Sequence, residues 1–237
     1  FRSAIYSSNR TSAEVYSESH LLNHSEALQS IKNAKIVLTE GFFTEHSAEV
    51  ASKVFDMCSE NGTITAFNLS GKHVVEKHFK YAVEPFVRTC NVLVGNVNEF
   101  NCLCAKLNVP SEDTNKAAVH VHKIMMTSFT SREYRIKAVE RYKKILIVTN
   151  GDKDVLCVTG SHEVILYSVP QMDSAQIKDT TGAGDSFLAG FLYGLVKEQS
   201  IPKCLKIASL VAREIIQQYG ATLPETKTDL STLIETS

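Results

Sequence analysis

Lys178-Asp179-Thr180-Thr181-Gly182-Ala183-Gly184-Asp185-Ser186-Phe187, running on into Leu188-Ala189-Gly190-Phe191-Leu192, is the stretch on which the reading of this chain turns. Two glycines flank an alanine just before an apolar-periodic segment, so backbone N–H groups converge at the start of a helix. Such a start attracts anions, because its first amides lack intrahelical partners and the positive end of the macrodipole faces the same point. Asp185 falls in the first turn beside that point, where a carboxylate can take a proton from an attacking hydroxyl. A base for the nucleophile and oriented dipoles for the transferring group are what phosphoryl transfer to an alcohol needs. The same spacing also fits a plain tight loop with Asp185 as a helix-start acid, and the residues alone leave both open. Two other phosphate motifs are excluded. Position 187 is Phe where the dinucleotide fingerprint needs its third glycine. Gly71-Lys72 has the look of a P-loop end, but Ala66 stands at its first glycine and His73 at its Ser/Thr position.

Upstream, short β-rich runs alternate with longer amphipathic stretches. Residues 35–39, 63–68, 91–95 and 144–149 read as strands. Helices are expected through Ala48 to Cys58 with Asn61-Gly62 as a stop, over 97–107, and from near Ser111 with Glu112 and Asp113 in its first turn. Val155–Thr159 and Glu163–Tyr167, parted by Gly160-Ser161-His162, read as a hairpin. Helices over 184–198 and 202–219, the latter ended by Gly220, close the chain. Apolar strands separated by helices predict a mainly parallel sheet covered on both sides. Residues 2–16 are polar, with a weak strand signal at Ala4-Ile5-Tyr6, and enter this body without a preceding β-α unit. The chain is therefore expected to have lost its start and to be inactive as it stands.

Composition narrows the function. A chain of 237 residues with 43% apolar residues buries a sizeable core, as one large domain or one with a small annex. With 25 basic against 26 acidic residues there is no basic stripe for nucleic acid. No apolar run approaches the roughly 18–20 residues of a membrane span, and no secretory signal is visible. The cysteines at 58, 90, 102, 104, 157 and 204 sit mostly in apolar runs and read as small hydrophobes of a reduced, cytoplasmic protein. Cys102-Leu103-Cys104 lacks a second pair at zinc spacing. His120-Val121-His122 reads as ordinary helix surface.

Asp-Thr-Thr-Gly-Ala-Gly-Asp-Ser-Phe at 179–187 resembles the signature of the ribokinase-type (PfkB) carbohydrate and nucleoside kinases. Further stretches resemble the adenosine-phosphorylating branch of that family. They are Gly41-Phe42-Phe43, Phe67-Asn68-Leu69-Ser70, Pro85 to Leu93, Gly95-Asn96-Val97-Asn98-Glu99, Val148-Thr149-Asn150-Gly151 and Tyr219-Gly220-Ala221-Thr222-Leu223-Pro224. The resemblance spans nearly the whole chain in the family's order.

It implies a ribokinase-like three-layer α/β/α fold with a mainly parallel central sheet, residues 17–237 forming the kinase domain and 1–16 a remnant of the β lid. It implies transfer of the γ-phosphate of ATP to the 5′-hydroxyl of adenosine in purine salvage, with Mg2+, in a cytoplasmic and also nuclear protein that is a monomer at full length. Adenosine and ATP are then the partners, without nucleic acid or membrane. Gly182, Ala183 and Gly184 correspond to the anion hole and Asp185 to the base. Asn96 and Glu99 match an N-x-x-E element that organises magnesium and phosphate, Glu99 through water, as suits an ion that keeps its waters. By spacing alone that pair is a helix capping box. Thr149 and Gly151 match a turn bordering the nucleotide, and Arg10 matches an arginine reaching the transferring phosphate. Lys72-His73 and Ser209 depart from the pattern, and the ribose-gripping N-terminal portion has no counterpart here. Another sugar or nucleoside acceptor, or an inactive homologue that binds nucleotide or a partner, stays open on these residues.

Overall fold

The computed structural model describes residues 23–127, 144–220 and 222. Helix α1 (Ser25–Asn33) leads into strand β1 (Ile36–Glu40), and α2 (Gly41–Asn61) returns to β2 (Ile64–Asn68). Helix α3 (Lys72–His78), a π turn (Phe79–Val83) and α4 (Glu84–Thr89) return to β3 (Val92–Asn96). Helices α5 (Val97–Leu107) and α6 (Thr114–Thr127) precede β4 (Ile145–Thr149), followed by the hairpin β5 (Val155–Thr159) and β6 (Glu163–Tyr167). Helices α7 (Ala183–Val196) and α8 (Ile201–Ile215) close the described chain.

The strands form one sheet in the order β1-β2-β3-β4-β5-β6. The first four run parallel and the last two pairings are antiparallel. Strands β2 to β5 are apolar on both sides because both sides are covered. On one face Phe67, Leu93, Leu146 and Leu156 pack with Phe55, Phe86, Phe100 and Met125 from α2 to α6. On the other, Ala66, Val92, Ile145 and Cys157 meet Phe187, Phe191, Leu195 and Leu205 from α7 and α8. This is the expected three-layer, mainly parallel fold. Its outer strands are less covered, with Leu38 of β1 41% and Leu166 of β6 53% exposed.

Local chemistry sets the element ends. Gly62 takes the left-handed conformation (φ 73°) that stops α2, where Asn61-Gly62 predicts a stop. Asp113 caps α6 by accepting from Lys116 N at 3.1 Å, so that helix starts at Thr114 and Glu112 lies outside it. The C-terminal carbonyls of α4 are held by a buried cation: Lys144 Nζ donates to Arg88 O, Thr89 O and Cys90 O at 3.2, 3.0 and 2.7 Å. All six cysteines are buried and free, as expected for small hydrophobes.

Two expectations are corrected. Helix α8 ends at Ile215 rather than running to Gly220, because Ile216 O accepts from the distant amides of Lys178 and Asp179 at 2.9 and 3.3 Å. His122 is fully buried rather than on the helix surface; its Nε2–H donates to Lys144 O at 2.7 Å and its Nδ1 lies 2.8 Å from His162 Nδ1. Residues 72–89, which the alternation leaves unread, fold as α3, the π turn and α4. Residues 1–16 and Arg10 lie outside the described residues.

Candidate active site

Parallel pairing turns alternation along the chain into a shared face. Ile36, Ile64, Val92 and Ile145 project into the layer of α7 and α8. Stepping two and four residues along each strand keeps that face, so Glu40, Asn68, Asn96 and Thr149, the last residues of β1 to β4, line its carboxyl end. Glu40 is paired in register with Asn68, and Asn96 with Thr149. The carboxyl ends of the strands are where open α/β sheets bind ligands.

Helix starts crowd the same edge. Helix α2 begins directly after Glu40 at Gly41, where an added Cβ would stand 2.4 Å from Leu69 O, so no side chain fits. Gly41 N donates to Ser70 Oγ at 3.0 Å, tying β1 to the segment after β2. Helix α5 follows Asn96 at once and opens with a complete capping box. Asn96 Oδ1 accepts from Asn98 N and Glu99 N at 2.9 and 3.0 Å. Glu99 answers with both oxygens, Oε2 accepting from Asn96 N at 2.9 Å and Oε1 from Asn96 Nδ2 at 2.7 Å. The capping reading of this pair is thus realised, and Glu99 is buried within it.

The third start is that of α7. Gly182 is its N-cap with φ 80°, a conformation that costs a side chain about 1–2 kcal/mol. Ala183 N is used by Thr180 O at 3.2 Å and Ser186 N by Gly182 O at 2.9 Å. The amides of Gly184 and Asp185 keep no partner among the described residues. Gly184 has no positive φ, and a Cβ there would meet nothing within 4 Å. The approach to those two amides is therefore open. Asp179 braces the loop, its carboxylate accepting from Thr181 N and Gly220 N, each at 2.9 Å. These bonds hold the Asp179 carboxyl below its ordinary range.

Burial, then the charge of Asp185, raises the Glu40 carboxyl above its ordinary 4.5, opposed by the neighbouring Asn68 side chain. Burial chiefly raises Glu99 as well, with the Asn96 bonds opposing and Asp185 adding a smaller push. Asp185 itself is exposed at this opening. Gly151, exposed with φ 62°, lies in the turn just past Thr149. Ser209 is buried close to Tyr167 of the outer strand. Glu40 has no place in the sequence-derived site; its signal was an acid ending an apolar strand directly before a glycine.

Among the described residues no group of three or more His, Cys, Asp or Glu is placed to hold a metal ion. Both Glu99 oxygens are already taken up by the Asn96 amides. No helix among the described residues is long and apolar enough to cross a membrane.

Comparison with known proteins agrees with this architecture. The profile of the family described as pfkB family carbohydrate kinase matches residues 4–228. Adenosine kinase 2 of Arabidopsis thaliana is 29% identical over 217 residues, 92% of this chain and 59% of that protein. The crystal structure of Anopheles gambiae adenosine kinase in complex with P1,P4-di(adenosine-5) tetraphosphate superposes with a TM-score of 0.76 at 27% identity, over 89% of this chain and 59% of that one. Adenosine kinase from Schistosoma mansoni in complex with 2-fluoroadenosine, at 23% identity and a TM-score of 0.77 over 89% of this chain and 58% of that one, shares the fold. The chain thus spans about 59% of the length of the relatives it matches.

Proposed function

This chain belongs to the pfkB family of carbohydrate kinases, and on that premise we propose that its protein transfers the γ-phosphoryl group of ATP to the 5′-hydroxyl of adenosine, giving AMP and ADP in a purine-salvage reaction. The observation that carries the reading is the start of α7: Gly182 in the left-handed conformation, two unpartnered amides, and Asp185 beside them at the carboxyl edge of the sheet. The likeness to plant adenosine kinase along most of the chain supports adenosine as the acceptor.

In this reading Asp185 accepts the proton of the 5′-hydroxyl as O5′ bonds to the γ-phosphorus and the bond to the β-γ bridging oxygen breaks. The amides of Gly184 and Asp185 point fixed dipoles at the oxygens of the transferring group, where charge must be balanced. Gly182 supports them by giving the loop its turn, and Ala183 by holding Thr180. Thr149 and Gly151 border the nucleotide. Asn96 and Glu99 present a rigid polar wall on which water around a magnesium ion would rest. When bound, that ion would offset the negative charge of the phosphates. Arg10 would add positive charge to the same end.

The test is a steady-state assay with Mg-ATP and adenosine, ribose or inosine as acceptor. Adenosine should be preferred, and phosphorylation of ribose alone would assign the site to a sugar kinase.

A further inference from the structure

We infer that Glu40 sorts acceptors at this site: its carboxylate takes a hydrogen bond from a second hydroxyl of a neutral acceptor and turns away acceptors that carry a phosphate. The inference rests on the reading of Asp185 as the base, and four observations carry it. Glu40 ends β1 on the face that α7 covers, at the edge where Asp185 stands. It occupies the N-cap position of α2, yet its side chain makes no capping bond there. Asn68, its register partner on β2, is itself held, because its Oδ1 accepts from Ser70 N at 3.2 Å. Ser70 Oγ closes the scaffold by accepting from Gly41 N at 3.0 Å and donating to Asn68 O at 3.2 Å.

Among the described residues no lysine, arginine or histidine forms an ion pair with Glu40. A half-buried carboxylate facing a second one is a costly arrangement that a hydroxyl donor relieves. A phosphate would bring a third negative group to the same spot, and like charges at close quarters are strongly disfavoured. The acceptor class that fits is a neutral polyol, such as an unphosphorylated nucleoside or sugar.

The experiment uses the whole protein and two acceptors that share a free 5′-hydroxyl, adenosine and adenosine 3′-monophosphate. Glu40→Gln keeps the size but removes the charge. We expect kcat/KM for the monophosphate, relative to adenosine, to rise by at least about tenfold. Glu40→Asp should keep the wild-type ratio. If Asp185→Asn abolishes turnover while Glu40→Gln leaves the ratio unchanged, the inference about Glu40 is wrong and the base assignment stands. If Asp185→Asn retains turnover, or the wild-type protein phosphorylates neither acceptor, both readings fall.

Discussion

Replacing Gly184 with alanine should stabilise the protein and weaken its hold on ATP. Gly184 lies in the first turn of α7 without positive φ, and a Cβ at that position meets nothing within 4 Å. The substitution therefore adds no clash. It removes the extra backbone freedom that glycine loses on folding, worth up to about 0.5–1 kcal/mol in a helix interior and nearer the lower figure in a first turn. For a chain of this size about 0.5 kcal/mol corresponds to roughly 1–2 °C in Tm. On the proposed reading phosphate oxygens come to the two unpartnered amides past this open position, so the added methyl group would hinder them. Loss of one charge-assisted hydrogen bond costs about 1.5–3 kcal/mol, or roughly ten- to a hundredfold in Kd. Urea denaturation and isothermal titration with Mg-ATP measure the two effects separately. A destabilised Gly184→Ala with unchanged ATP affinity would refute the reasoning, since the open space would then belong to the fold and not to a ligand.

Two further outcomes test the scaffold. Lys144→Met should lower stability by about 3 kcal/mol or more, because three carbonyls at the end of α4 lose a buried ammonium; the urea midpoint reads this, and a loss below 1 kcal/mol would mean that water replaces the cation. His122 is held below its ordinary 6.5, mainly by burial and further by the charges of His162 and Lys144. The unfolded chain thus binds the proton more readily, so this contribution to stability is present above about 6.5 and declines as pH falls. His122→Phe should flatten that slope at a cost of about 1–3 kcal/mol for the groups it leaves unpaired, and an unchanged slope in Tm against pH would assign the effect elsewhere.

What could be read in the sequence follows the range of the forces involved. The strands, the hairpin and the stop at Gly62 were legible because alternation, glycine chemistry and turn residues act over a few positions. The capping box of Asn96 and Glu99 was legible for the same reason. The end of α8 was not, since Ile216 O is claimed by amides nearly forty residues earlier in the chain. His122 shares a buried stripe with Ala118, Val121 and Met125, so its helical spacing carried a signal that its polar side chain masked. Glu40 faces Asp185 across a gap of more than a hundred residues, and no local pattern records such a meeting. The start of α7 admits two readings in the sequence, and the structure adds that the amides of Gly184 and Asp185 keep no partner among the described residues.

The most direct test of the central claim is single-turnover phosphoryl transfer by Asp185→Asn, followed by rapid quench at saturating Mg-ATP and adenosine. If Asp185 takes the hydroxyl proton, the rate should fall by at least about a hundredfold while the Kd for ATP changes little. A rate close to that of the unaltered protein, at equal ATP affinity, would contradict the account.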